Sequence, residues 1–291
     1  MSAVRSPPAT RVTLLGTGSP LPTAQHAGPA TLVQVGEAVL LVDCGRAVVM
    51  RLAAAGVLPV GLSAVLLTHL HSDHITDLND VITTHWVMTS GPVPLRVIGP
   101  PGTQLVVDGV LAMLALDQGY RQAHHADLRH PMTVAVTEVE PGDVLSVSGA
   151  RVIVGATDHR PVAPTVGYRV EYGGAAVALG GDGVPCPGLD ELCAGADVYV
   201  QTVMRADLIG QVQSPRLREI LTYHSTIEQA AQMAERAGVR IFLPTHFLPA
   251  IAPGDEDTWH KLAAAHFSGE IVIGGDLTAV SVGQDADPPA A

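Results

Sequence analysis

The chain has 291 residues, of which 47% are hydrophobic and 3% aromatic; 16 basic against 28 acidic side chains give a net charge of −12. That length suits one large domain or two small ones, and it buries about three quarters of the unfolded surface without a disulfide or structural-metal staple. A field of this sign repels polyanions, which disfavours a large nucleic-acid partner without excluding a local basic groove.

In chain order, short apolar runs bounded by Gly, Pro and Ser predict strands over 11–16, 31–35, 39–42 and 64–67. Helical spacing over 46–55 stops at Gly56. A strand at 95–98 precedes Pro100-Pro101-Gly102 and a helix reaching about residue 116. Strands then dominate, at 133–139, 144–147, 151–155, 166–172 and 175–179, and Gly173-Gly174 makes a two-residue hairpin turn between the last two. Buried strands are expected at 197–201 and 241–244, an amphipathic helix over 226–237 ending at Gly238, another over 255–267, and strands at 271–273 and 279–282. Strand-rich halves, each with its own helices, predict layers of helix, sheet, sheet and helix. No repeat of 20–50 residues and no Ser/Gly linker divides the chain. One domain is therefore expected over 11–283, with flexible ends at 1–10 and 284–291 rich in Pro, Ala and polar residues.

Cys44, Cys186 and Cys193 are too few for a disulfide framework, and no CxxC pair suggests a thiolate site, so they read as small buried hydrophobes. No apolar run approaches the ~20 residues of a membrane span. The first residues lack the apolar core of a signal peptide, so no membrane and a cytoplasmic location are expected.

The compositional anomaly is thirteen histidines. Three of them crowd with an aspartate into His69-x-His71-x-Asp73-His74, directly after the strand at 64–67 and before a helix-like segment. A turn there converges alternate side chains. Imidazole suits zinc, and carboxylate suits zinc, iron or manganese. Adjacent side chains diverge, so His69 and His71 can serve one ion and Asp73 and His74 a second. Further candidates stand at predicted strand ends: His159 after VIVGATD, Asp182 after VALGG and His246 after IFLPT, while His224 precedes a helix. Any one of these histidines alone would read as a surface or core residue; the cluster is what carries the metal reading.

The segment THLHSDH (68–74) resembles the signature of the metallo-β-lactamase fold. VTLLGTGSPLP (12–22), LLVDCG (40–45), DHRPVAPTVGYRVE (158–171), GGDG (180–183), YHSTIEQAAQMAERAGV (223–239) and LPTHF (243–247) are similar to the ribonuclease Z branch, over roughly 11–282. The resemblance implies an α/β (α+β) four-layer αββα sandwich holding two Zn2+ per chain, with Mn2+ or Fe as alternatives. It implies that His69, His71 and His159 hold one ion, that Asp73, His74 and His246 hold the other, and that Asp182 bridges them. Asp43 would support the ligand turn from behind; a strand-end carboxylate bonded to backbone amides is the plainer reading, and both can hold. His224 is then the family's non-ligand histidine near the leaving group. It and Asp73 are the catalytic candidates, His224 as general acid and Asp73 as the group orienting a metal-bridging hydroxide. A homodimer is implied as well.

Three departures shift the substrate expectation. The family's long arm that grips transfer RNA sits between the strands after the third ligand histidine, where this chain has Gly173-Gly174 alone. The usual GDT appears as Gly181-Asp182-Gly183, and the usual His-Glu-Ala-Thr as Gln201-Thr202-Val203-Met204, which removes an acidic partner for His224. A small anionic ester, most simply a phosphodiester, is therefore expected, with transfer-RNA 3′ processing, arylsulfatase or lactone hydrolysis as alternatives on the same site and a non-catalytic scaffold as the contrasting class. Arg160 could meet an anionic substrate or form a surface ion pair. The stretch GYRQAHHADLRH (119–130), with His124, His125 and His130, and the nearby His85 and Trp86, could form a lid or substrate loop. An exposed polar helix or a dimer contact is the preferred reading of that stretch.

Overall fold

The structure is a computed structural model that describes residues 10–283. Its first half runs β1 (Thr10–Gly16), β2 (Ala30–Val35), β3 (Ala38–Val42), α1 (Val48–Ala54), β4 (Ala64–Leu66), α2 (Ser72–Ile75), α3 (Leu78–Met88), β5 (Leu95–Gly99), α4 (Thr103–His124) and β6 (Val134–Glu138). The second runs β7 (Val144–Val147), β8 (Ala150–Ala156), β9 (Val166–Tyr172), β10 (Ala175–Leu179), α5 (Pro187–Cys193), β11 (Val198–Met204), α6 (Ala206–Ile209), α7 (Pro215–Arg218), α8 (Ile227–Ala237), β12 (Ile241–Leu248), α9 (Glu256–Ala264), β13 (Glu270–Ile271) and β14 (Ala279–Val282).

These strands make two seven-stranded mixed sheets, ordered β14-β1-β2-β3-β4-β5-β6 and β13-β12-β11-β10-β9-β8-β7. Successive strand residues point to opposite faces, and the sequence is apolar on both. In β4, Ala64 and Leu66 enter the core between the sheets while Val65 faces the helices; in β11, Val198 and Val200 face inward while Tyr199 faces outward. Val48, Leu52, Leu78, Val81, Ile82, Trp86 and Val107, from α1, α3 and α4, cover the first sheet. Leu189, Leu192, Ile227, Met233 and Trp259, from α5, α8 and α9, cover the second. The result is the expected αββα layering.

Local chemistry sets several boundaries. Thr226 Oγ1 accepts from the Gln229 amide at 3.1 Å, Gln229 Oε1 accepts from the Thr226 amide at 3.0 Å, and Gly238 ends α8 at φ 65°. Gly173 and Gly174 turn at φ 57° and 89°, as a tight hairpin between twisted strands requires.

Some boundaries differ from expectation. Thr10 lies in β1 opposite Val282, so the last residue of the expected flexible N-terminus is ordered in a strand; residues 1–9 and 284–291 lie outside the described region. α4 continues to His124 instead of stopping near 116. Its last turns are held by polar bonds: Arg121 Nε donates to Asp117 at 2.7 Å, Gln118 Oε1 accepts from the Met132 amide, and Gln122 Nε2 donates to the His130 carbonyl. β12 runs on to Leu248, because its parallel pairing with β11 resumes at Met204–Leu248 after a register shift.

Candidate metal centre

The strand order puts the candidate residues on one edge. β8 and β10 both run antiparallel to β9, and therefore run parallel to each other; β11 and β12 run parallel to β10. His159 follows β8, Asp182 follows β10 and His246 lies near the end of β12, while His69, His71, Asp73 and His74 occupy the turn after β4 and α2. The two sheets are tied there by Tyr168 Oη donating to the Leu67 carbonyl at 2.7 Å and by the Val166 amide donating to the Thr68 carbonyl at 2.9 Å.

His69, His71, His159 and Asp182 each offer one ligand atom, and these atoms lie within 4.8 Å of one another. His69 Nε2 and His71 Nδ1 are 3.1 Å apart, and His159 Nε2 is 3.4 Å from the same Nδ1. The outward nitrogens have partners: His69 Nδ1 meets Thr68 Oγ1 at 3.0 Å, and His159 Nδ1 meets the Tyr223 carbonyl at 2.9 Å. Tyr223 offers only an acceptor there, so the His159 proton is assigned to Nδ1. Thr68 Oγ1 in turn donates to Asp43 Oδ2 at 2.9 Å, which assigns the His69 proton to Nδ1 as well. The inward nitrogens of His69 and His159 are then lone pairs, and they face His71 Nδ1 at distances near the 3.3–3.4 Å edge of a tetrahedron with 2.0–2.1 Å zinc–nitrogen bonds.

Asp73, His74 and His246 form the second set. His246 Nε2 is 3.2 Å from Asp73 Oδ2, and His74 Nε2 is 3.7 Å from the same oxygen. His74 Nδ1 donates to Asp43 Oδ2 at 2.8 Å, and its Nε2 is buried without a hydrogen-bond partner. A buried imidazole nitrogen left bare in this way fits a ligand waiting for a cation. His246 holds its place at φ 47°, a left-handed conformation that costs a residue with a Cβ about 1–3 kcal/mol.

Asp182 joins the sets. Its Oδ2 stands 3.8 and 3.9 Å from the Nε2 atoms of His69 and His159, 3.4 and 3.7 Å from those of His74 and His246, and 3.2 Å from that of His224. Its Oδ1 is occupied by Thr202 Oγ1, which donates at 2.7 Å. The donor set therefore fits two divalent cations sharing one carboxylate. Gly183 follows because nothing larger fits: at φ 151° an added Cβ would sit 2.7 Å from the Asp158 carbonyl oxygen.

Electrostatics split the histidines. Burial pushes His69 well below the ordinary imidazole value and lowers His71 and His159 too. Burial would also lower His74, but the carboxylates of Asp182 and Asp43 hold it well above. Asp182 and Asp73 do the same for His246 against its burial. Burial alone would raise Asp182 and Asp73; the surrounding histidines, chiefly His246 and His74, hold Asp182 well below the carboxylate range and Asp73 below it.

Asp43 sits at φ 62° and takes both expected roles at once, accepting from the Thr68 amide at 2.8 Å and from His74. His224 is buried with Nδ1 unpartnered, as the Gln201-Thr202-Val203-Met204 stretch foreshadows. Arg160 forms the surface ion pair, Nε donating to Asp158 Oδ1 at 2.9 Å with its side chain 81% exposed. His124 and His125 are exposed at the end of α4 and do not line the cavity beside the clusters. His85 is buried between the Pro59 and Val93 carbonyls, and Trp86 donates to the His130 carbonyl at 3.1 Å, so these side chains fasten α3.

Sequence reasoning missed a cavity of about 550 Å³ over the clusters. His71, Asp73, Asp182, His224 and His246 reach its floor; Leu21, Ile209, Val212, Leu217, Ile220 and Leu248 supply mostly apolar walls. The interruption of polar 205–223 by Ile209, Val212, Leu217 and Ile220 was its one visible signal.

Similarity to known proteins follows the geometry. Residues 39–247 match the family described as "Beta-lactamase superfamily domain". A protein named Ribonuclease Z from Mycolicibacterium paratuberculosis is 54% identical over 273 residues, 93% of this chain and 98% of the relative. The metallo-beta-lactamase fold protein YhfI from Bacillus subtilis has the same fold at TM-score 0.72 and 22% identity, covering 96% of this chain and 100% of that one. The short form of human tRNase Z superposes at TM-score 0.64 with 19% identity, covering 93% and 98%.

Proposed function

The chain belongs to the ribonuclease Z family within the β-lactamase superfamily and is a metal-dependent hydrolase, and from that premise we propose that it cleaves phosphodiester bonds, with a precursor transfer RNA as first candidate substrate. The sequence reading ranked a small ester ahead of RNA; the name carried by relatives 54% identical over nearly their whole length favours the reverse order. The observation that carries the phosphodiester reading is Asp182 Oδ2 standing 3.4 to 3.9 Å from four imidazole nitrogens, two from each set, the placement of a carboxylate that two cations could share.

In this reading His69, His71 and His159 would hold one divalent ion and Asp73, His74 and His246 a second, with Asp182 standing between the two sets. Zinc is the ion we propose, with manganese or iron as alternatives, because imidazole and carboxylate suit all three. Bound there, such ions activate water near neutral pH and offset charge on the reacting phosphoryl group. Thr202 holds Oδ1 of Asp182 so that Oδ2 stays turned toward both sets. Asp73 orients the attacking water through its carboxylate. His224 lines the floor of the cavity with its Nε2 3.2 Å from Asp182 Oδ2, and from there it would hand a proton to the leaving oxygen. Asp43 locks the ligand turn by holding Thr68 and His74 together.

A second reading, a small anionic ester, is favoured by one observation: β9 and β10 are joined by Gly173 and Gly174 alone, which leaves no room for an RNA-gripping arm there. We propose that residues 11–283 act as one cytoplasmic domain. We also propose that they dimerise through the α4 face that exposes Leu105, Met113, Leu116 and Tyr120. The discriminating experiment offers zinc-loaded protein precursor transfer RNA, bis-p-nitrophenyl phosphate, p-nitrophenyl sulfate and a lactone. Cleavage of either phosphodiester supports the reading, and RNA cleavage selects the first form. Turnover of sulfate or lactone alone contradicts it.

A further inference from the structure

Asp276 stands in the turn before β14, after every candidate ligand in the chain, yet its carboxylate holds a loop beside them. The side chain is 6% exposed. Oδ1 accepts from the Thr17 amide at 3.0 Å and from Thr17 Oγ1 at 2.9 Å; Oδ2 accepts from the Ala27 amide at 2.7 Å and from Arg51 Nε at 2.9 Å. The one hydrogen of Thr17 Oγ1 goes to Asp276, so His26 Nδ1, 3.0 Å away, donates to that hydroxyl. One carboxylate thus holds both ends of the loop 17–27. The Gly18 amide closes the neck on the Ala27 carbonyl at 2.8 Å, which makes the segment a compact loop with its ends together. The turn that carries Asp276 is itself fixed to β1: the Leu277 amide donates to the Leu14 carbonyl at 2.6 Å, and the Leu14 amide donates to the Thr278 carbonyl at 2.9 Å.

The position of this loop matters to the site. Ser19, Pro20, Leu21, Pro22 and Thr23 form one wall of the cavity whose floor the two ligand sets reach. At the neck, the Thr17 carbonyl accepts from the Phe247 amide at 3.1 Å, so the wall is placed against the strand that carries His246. The tip stands out into solvent, with Leu21 66% exposed, so its position is set from the neck. Thr17 and Ala27 are buried, and amides there that lost Asp276 would find no water unless the loop moved.

We propose that Asp276 is a positioning residue for the hydrolysis: by clamping the neck of the 17–27 loop it fixes the wall that guides a precursor RNA onto the metal centre. This rests on the reading of the chain as a phosphodiesterase with RNA as substrate. A long substrate must run past the projecting rim to set one phosphodiester on the floor, and the fraction that binds productively depends on where the rim stands. A small ester reaches the floor without spanning the rim. The ligands do not depend on the clamp, because His246 lies in β12, where the preceding Thr245 pairs with Thr202 of β11.

The test compares the full zinc-loaded wild type with Asp276→Ala and Asp276→Asn. Amide hydrogen exchange in Asp276→Ala should quicken about tenfold or more over 17–27 and stay unchanged in α8 and β11. Asp276→Asn keeps one accepting oxygen, so exchange should quicken at one end of the neck only, Thr17 or Ala27. In Asp276→Ala, KM for precursor transfer RNA should rise about fivefold or more, with kcat within about twofold and metal content unchanged. The ratio of kcat/KM for RNA to that for bis-p-nitrophenyl phosphate should fall by the same factor, and a loss of folded protein does not alter that ratio. Unchanged exchange over 17–27 overturns the clamp. Exchange that rises equally in α8 and β11 assigns Asp276 to general stability and overturns it too. A loosened loop with equal losses for RNA and the small ester overturns the positioning role. Loosening confined to the loop, in a protein whose wild type cleaves no RNA, leaves the clamp standing and counts against the RNA reading instead.

Discussion

Asp43 accepts a hydrogen bond from His74 at 2.8 Å and binds the Thr68 amide with its other oxygen, so one buried carboxylate fixes both the ring and the loop that carry ligands from opposite sides. Its left-handed φ of 62° is tolerated by Asn as well as Asp. Asp43→Asn is therefore expected to fold, because the amide oxygen still serves Thr68. Its amide group, however, donates where His74 needs an acceptor. Metal affinity should fall about 10- to 100-fold, read by competition with a chromophoric chelator. Unchanged affinity would show that His74 needs no support from behind.

Asp182→Ala tests the bridge. Turnover should drop by roughly 10³-fold or more, the scale on which preorganised electrostatic contacts act. The far-UV circular dichroism should persist, because Asp182 belongs to none of the three apolar clusters that build the fold. Chelation of the wild type should give the same pattern, lost turnover with retained secondary structure. Collapse of the spectrum would mean that the metals serve folding first.

His224 leaves Nδ1 without a partner, so its action depends on Nε2 alone. For an alkoxide leaving group, His224→Gln should lower kcat about 10²- to 10⁴-fold with metal content unchanged. For p-nitrophenol, which leaves without a proton, the loss should be much smaller. Equal losses for both leaving groups would argue for a positioning role.

Metal uptake should depend on pH with a definite sign. The carboxylates of Asp182 and Asp43 hold metal-free His74 well above the ordinary imidazole value, and Asp182 and Asp73 raise His246. Ions bind only deprotonated imidazole, so protons compete at neutral pH and the competition fades as pH rises through those raised values. Burial keeps His69, His71 and His159 neutral there, and they release nothing. Loading at pH 7 should therefore release protons, apparent affinity should climb as pH rises from the ordinary imidazole range through the raised values, and His74→Ala should release fewer. Calorimetry in buffers of different ionisation enthalpy reads this directly. Equal release in wild type and variant would contradict the charge assignment.

The α4 face gives an assembly prediction. Leu105, Met113, Leu116 and Tyr120 stand exposed on one side of the helix. Leu116→Arg should halve the light-scattering mass and leave the circular dichroism intact. A wild-type mass near the 30.1 kDa of one chain would remove the dimer.

The sequence marked the residues that the structure gathers into two His/Asp clusters, for a physical reason. His69, His71, Asp73 and His74 are neighbours in one turn, and His159, Asp182 and His246 each stand at a strand end or close to one, where a short apolar run makes the position readable. The turn at Gly173-Gly174 and the caps of α8 were legible because one residue type meets one backbone demand. The cavity was not. Its walls come from segments nearly 200 positions apart in number and from helices of four residues, too short to show any period. The end of α4 was hidden for the opposite reason: polar bonds from Gln118, Arg121 and Gln122 sustain helix where no apolar stripe marks it. Thr202 stands where the family's acid is expected, and its hydroxyl instead donates to Asp182 Oδ1, a role no sequence pattern marks.

Elemental analysis of reconstituted, desalted protein tests the central claim most directly. Two divalent ions per chain in the wild type, falling below one in Asp182→Ala, is the predicted result. Fewer than one ion per wild-type chain after reconstitution, or two ions retained in Asp182→Ala, would contradict a shared-carboxylate centre.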